Sequence, residues 1–153
     1  MDILDRLRKD FPAFHFVTGE VFSWSPSNKT ITVADVDDRA QLLHEVAHGV
    51  LGHAQYVRDI DLLTMERQAW QYAASQLAPR YGVSLHMEDD VVQDALDSYR
   101  EWLHRRSCCP RCEATGIEVE KHTYRCLLCE ERWRVNEART CRLQRHRATK
   151  TPR

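Results

Sequence analysis

The stretch His44–His53, HEVAHGVLGH, lies less than a third of the way along a chain of 153 residues. It sets His44 and His48 one helical turn apart, with Glu45 directly after the first histidine. Asp38 stands three residues before Gln41, a capping-box arrangement that starts a helix. Gly52 marks a plausible stop. Between those signals, Leu43, Val46, Ala47, Val50 and Leu51 form an apolar stripe with both histidines at its edge. Rings one turn apart project from one helix face, the geometry for two nitrogens on one tetrahedral zinc. Glu45 lies about 100° around the helix, near enough to reach a water on the metal without ligating it. The competing reading makes the histidines polar positions of an amphipathic helix. Partly buried imidazoles would then need other partners.

Two histidines do not complete a site, so the class turns on a third ligand. The extended motif HExxHxxGxxH needs glycine and histidine at positions 51 and 54, where this chain has Leu51 and Ala54. His53 is out of that register and reads as a polar helix end. Glu66 is the better candidate. It heads the stripe Glu66, Ala69, Trp70, Ala73, Leu77 on a second helix, expected over Asp61–Ala78 and ending before Pro79. A carboxylate on an inward face is costly unless a positive group meets it. That group is a zinc ion or, in the alternative, Arg39 or Arg67. Asp59 and Asp61 are backup ligands in or near the connecting loop.

HEVAHGVLGH followed by MERQAWQYAASQLAP resembles the ImmA/IrrE family of small zinc metallopeptidases. That family's pattern is HExxH, a loop, then E-x-[EQ]-A-x-x-[FY]-A leading to Leu-x-Pro. Glu66, Gln68, Ala69, Tyr72, Ala73, Leu77 and Pro79 fill those places, and the likeness covers roughly residues 30–79. Two positions depart from the pattern: Trp70 stands where the family usually has Asn or Asp, and Ala47 where it often has Gly. The resemblance implies a gluzincin-like core, with a short antiparallel sheet packed on helices, and Glu66 as third ligand to a catalytic zinc. Its members typically cleave a repressor with a helix-turn-helix domain. In such a site Glu45 takes a proton from the attacking water and passes it to the leaving amine. Tyr56, Tyr72 and His86 are all candidates to stabilise the oxyanion.

Around this centre, Ile3–Lys9 reads as a short helix, and His15–Thr18 and Val21–Trp24 as strands. Val21–Val33 reads as a hairpin through the turn-rich SPSNK. Thr30–Val33, taken as a sheet edge, could hold an extended substrate by strand addition. A third helix begins at Glu88-Asp89-Asp90 and finishes in His104-Arg105-Arg106, charges that suit its dipole.

All six cysteines fall in the last third of the chain. CPRC (Cys109–Cys112) and CLLC (Cys126–Cys129) make the paired knuckles of a zinc ribbon with strands over Gly116–Lys121, Thr123–Arg125 and Arg132–Val135. Four thiolates close the shell, so this second zinc is structural. Cys108 competes with Cys109 by proximity, although the CxxC spacing favours Cys109, and Cys141 reads as a spare thiol.

The net charge of −1 conceals an asymmetry: −8 over residues 1–103 and +7 over residues 104–153. The basic part carries Arg132, Arg134, Arg139, Arg142, Arg145, Arg147, Lys150 and Arg153 with Tyr124 and Trp133. It suits nucleic acid or a protein partner equally. The N-terminus lacks the apolar centre of a secretory signal, no run is long enough for a bilayer, and a cytoplasmic location is expected.

The expected architecture is therefore α+β: a metallopeptidase-like domain over 1–106, a zinc ribbon over 107–141 and a basic, disordered tail over 142–153. The function expected is that of a zinc endopeptidase with His44, His48 and Glu66 as ligands. One competing reading is a non-catalytic regulator whose ribbon binds DNA or protein. Another is the SprT-like family, which joins HExxH to a ribbon and acts on DNA-bound proteins; the ERQA context of Glu66 fits it less well.

Overall fold

In the computed structural model, which describes residues 1–136 and 145–147, the β-branched run Thr30–Val33 is a central strand. Three short strands, β1 (His15–Thr18), β2 (Ser23–Ser25) and β3 (Thr30–Val33), form a sheet in the order β1-β3-β2. The β2–β3 hairpin is antiparallel, as its turn-rich connection requires, but β1 lies parallel to β3. The sheet is therefore mixed rather than wholly antiparallel: the chain leaves β1, descends β2 and returns between them. Both flanks of β3 are paired, so the expected strand addition at Thr30–Val33 has no free edge to use. Ile31 and Val33 point into the core and are buried.

The fold is α+β, with two small sheets, one in each of two compact units. The first unit comprises Met1–Gln55 and Thr64–Gln93, and the second Tyr56–Leu63 and Asp94–Arg153. In the first, α1 (Ile3–Asp10) is capped by Asp2, whose side chain accepts from the Asp5 N–H at 2.8 Å. Helix α2 (Arg39–Val50) packs on β2 and β3, and Asp38 caps it by accepting from the Gln41 N–H at 3.1 Å. Leu42 to His48 are all buried, so this helix is enclosed on more than one side.

Helix α3 (Asp59–Tyr72) passes into a π-helical turn (Ala73–Leu77) and then α4 (Ala78–Tyr81). The helical path thus runs through Pro79 instead of ending before it. The Ala78 N–H reaches back five residues to the Ala73 carbonyl. That wider spacing comes just where a proline ring would otherwise press on the carbonyl four residues earlier. Gly82, in the left-handed region at φ 68°, ends the run.

Helix α5 (Asp90–Ser107) leads to the second sheet, of order β4-β5-β6-β7 over Gly116–Glu120, Thr123–Cys126, Arg132–Val135 and Arg145–Arg147. Its core is Cys109, Tyr124, Cys126, Trp133 and Val135, with the Tyr124 and Trp133 rings stacked at 5.7 Å. Three residues of the expected disordered tail, Arg145–Arg147, instead pair antiparallel with β6. They cover backbone groups that an edge strand would leave open. The rest of residues 137–153, with Cys141, Arg139, Arg142, Lys150 and Arg153, lies outside the described residues. Among the described residues no helix is long and apolar enough to cross a membrane.

Candidate metal centres

Helix α2 presents His44 and His48, and α3 presents Glu66, at one buried point. His44 Nε2 lies 2.9 Å from Glu66 Oε2, and His48 Nε2 lies 3.2 Å from Glu66 Oε1. The two Nε2 atoms are 3.0 Å apart. A tetrahedral zinc with bonds of about 2.0–2.1 Å separates such ligands by about 3.3 Å. The contacts here are a few tenths of an ångström shorter, so the triangle fits a metal with a small expansion. These three side chains, each under 9% exposed, form a buried triangle of nitrogen and oxygen atoms that could hold a metal ion. Burial pushes the Glu66 carboxyl pKa up, but hydrogen bonds from His44 and His48, with their charge, more than reverse this. The net effect holds it well below the ordinary carboxylate value.

Neither Arg39 nor Arg67 takes up Glu66, whose ion-pair partners among the described residues are His44 and His48. Asp59, a backup ligand in the sequence, is engaged within the second unit by Arg106 and Tyr124. Asp61 caps its own turn by accepting from the Arg58 N–H at 3.0 Å. Glu45 is buried and accepts from Gln41 Nε2 at 3.2 Å. Gln41 thus reaches forward to Glu45 instead of back to complete a capping box.

His53 is the residue that sequence reasoning missed. Its Nδ1 lies 2.9 Å from His48 Nδ1, and its Nε2 lies 3.1 Å from Gln68 Oε1. Its pKa is lowered, first by burial and then by the charge of His48, against the opposing pull of Gln68 and Glu66. The helix stop carried the missed signal. In a Schellman ending, the residue after the left-handed glycine folds back onto the last turn. Here the His53 N–H donates to the His48 carbonyl at 3.0 Å, and the Gly52 N–H to Gly49 at 3.1 Å. His53, Gln68 and Tyr72 also line a shallow depression with Leu51, Gln71, Ser75 and Gln76. Of the other oxyanion candidates, Tyr56 belongs to the second unit and His86 is exposed.

The second centre is the group Cys109, Cys112, Cys126 and Cys129. Cys109 and Cys129 sulfurs are 3.6 Å apart, and Cys112 and Cys126 sulfurs 3.4 Å. Tetrahedral Zn–S bonds of about 2.3 Å set such edges near 3.8 Å, so these thiols also fit a metal. Each knuckle turns two N–H groups onto its first sulfur: Arg111 and Cys112 onto Cys109, Leu128 and Cys129 onto Cys126. The Cys126 thiol is drawn down to about 6, chiefly by the Cys129 N–H, with burial opposing and Leu128 and the neighbouring thiols assisting. Cys108 stays outside the group, its sulfur 3.4 Å from the Glu113 carbonyl.

A third cluster, Asp59, Glu118 and His122, has its donors already committed. Arg106 Nε donates to Asp59 Oδ2 at 2.7 Å, Tyr124 donates to the same oxygen, and Arg106 Nη2 lies 3.2 Å from His122 Nδ1. Glu118 accepts from the Asp59 and His122 N–H groups at 2.7 and 3.0 Å. This is a satisfied polar core of the second unit. No family model, curated protein or solved structure matches the chain.

Proposed function

We propose that the chain is a zinc-dependent endopeptidase of the ImmA/IrrE kind, with His44, His48 and Glu66 as ligands and Glu45 as general base. The observation that carries this reading is the convergence of those three ligands from two helices at one buried point. A zinc held by these three residues would supply Lewis acidity that brings the pKa of water to about 7. Glu45, held by Gln41, takes the proton of the attacking water and delivers it to the departing amine. Tyr72, in the depression shared with His53 and Gln68, donates to the oxyanion. The substrate is an extended segment of a regulatory protein, by resemblance a helix-turn-helix repressor. The four cysteines hold a second, structural zinc.

The test is to add zinc-loaded wild type or Glu45→Gln to a cell lysate and sequence the newly created protein N-termini. The expected result is a small set of new termini with wild type only, the variant being slower by about 10²–10⁴. Identical termini in both samples would remove the peptidase reading.

A second reading, nucleic-acid binding by the ribbon, has its own support. Arg125 and Arg132 are directly opposed across β5 and β6, and Arg134 follows on the same exposed face. Like charges so placed are destabilising alone and are relieved by phosphate. Arg125→Ala with Arg132→Ala should then flatten the salt dependence of duplex binding by about two units of log–log slope. A slope unchanged by both substitutions counts against it.

A further inference from the structure

We propose that His53 and Gln68 form a directional hydrogen-bond relay that sets the tautomer and ring orientation of His48 as a metal ligand. His53 is then a positioning residue of the metal centre. The inference rests on the reading of His44, His48 and Glu66 as that centre, and adds what controls its affinity.

The proton assignment follows from the contacts. His48 Nε2 faces Glu66 and His44, so it is the nitrogen that, on metal binding, gives up its hydrogen bond to Glu66 and offers a lone pair instead. A neutral imidazole with a free Nε2 carries its proton on Nδ1. That proton meets His53 Nδ1 at 2.9 Å, which must therefore accept. His53 in turn carries its proton on Nε2, where Gln68 Oε1 waits at 3.1 Å. Each nitrogen has one role, and the chain ends on an acceptor. Partners of this kind hold a ligating ring in place and raise its basicity.

The relay is anchored apart from its side chains. The Schellman hydrogen bond ties the His53 N–H to the His48 carbonyl, and the Trp24 indole donates to the His53 carbonyl at 2.9 Å. A side-chain contact across such a helix ending is normally apolar; here it joins two imidazoles. His44 provides the contrast, since its Nδ1 is buried with no hydrogen-bond partner among the described residues. The two histidine ligands are thus unequally supported, and the burden falls on His48.

The experiment is chelator competition for Zn²⁺ on the full chain with the cysteine site already loaded. The number of metals per wild-type chain is established first by native mass spectrometry. Wild type should hold two. His53→Ala should weaken the second metal about 10–100-fold, Gln68→Ala less. His53→Asn, which keeps an acceptor near Nδ1, should recover most of the loss. His53→Leu, which fills space without an acceptor, should not. The urea midpoint of each protein without the second metal checks that folding is intact. A wild type with one metal overturns the centre and the relay together. Two metals with His53→Ala unchanged overturns the relay alone, as does equal recovery by Leu and Asn.

Discussion

The indole of Trp70 stacks on the imidazole of His44, with ring centroids 4.1 Å apart and planes 22° apart. Trp70 Nε1 and His44 Nδ1 are both buried without a hydrogen-bond partner among the described residues. An indole offers only a donor, so Trp70 cannot serve the Nδ1–H that a metal-bound His44 would carry. Trp70→Phe keeps an apolar ring on His44 and removes one orphaned donor. Relief of that donor offsets lost packing, so stability should change by less than about 1.5 kcal/mol. Metal affinity should stay within about twofold of wild type by chelator competition. A large loss would mean that the indole N–H has a role in the site.

Glu66→Ala should reduce the metals per chain from two to one by native mass spectrometry. The cysteine site does not depend on Glu66, so one metal must remain. Both metals persisting would reassign the third ligand.

The site was legible where spacing alone determines it. His44 and His48 one turn apart, and Glu66 heading an apolar stripe, could be paired because helical periodicity converts sequence distance into a face. The cysteine pairs were legible for a similar reason, since a knuckle is local. The parallel partner of β3 was not, because strand order depends on which edge the chain returns to. His53 was hidden behind its apparent role as a helix terminus, although Gly52 held the clue. Pro79 misled because the general rule against interior proline omits the π-helical turn that accommodates it.

Asp59→Ala should destabilise the second unit by about 3–5 kcal/mol, because Arg106 would be left buried and unpaired. Both side chains of that pair are fully buried, and Arg106 also lies over the Trp102 ring at 4.5 Å. Urea denaturation checks the magnitude. A loss below about 1 kcal/mol would show that water reaches Arg106 readily.

Removing metal from the four cysteines should unfold residues 108–136, since such sites contribute on the order of 10 kcal/mol. Loss of dispersed amide signals on adding a strong chelator would report it. Glu113 and Glu130, each directly after a knuckle, hold φ of 65° and 63°. Glycine at either place should stabilise the metal-bound form by up to about 1 kcal/mol, read as a higher unfolding midpoint.

Tyr81 donates to Asp10 Oδ2 at 2.6 Å, and burial together with that bond pushes its phenol up to about 12. The folded state therefore holds this proton more tightly than the unfolded state, whose phenol titrates near 10. Its contribution to stability is complete below pH 10 and is lost as pH rises toward 12. Ultraviolet titration of wild type against Tyr81→Phe should show one phenol missing from the step near 12, while the still later step of Tyr124, held up by burial and its bond to Asp59, stays. Loss of an earlier step would place the proton elsewhere.

The end of α2 carries two glycines that face very different futures under mutation. A Cβ at Gly49 would come within 2.9 Å of the Phe14 ring and 3.1 Å of Trp24, whereas one at Gly52 would meet nothing within 4 Å. Position 49 is closed by neighbours, so sequence drift there requires a matching change in two aromatic rings. Position 52 is closed only by its backbone angle of 68°, and asparagine could occupy it at modest cost. Homologous chains should therefore vary first at 52, and lineages that alter 49 should also have changed Phe14 and Trp24.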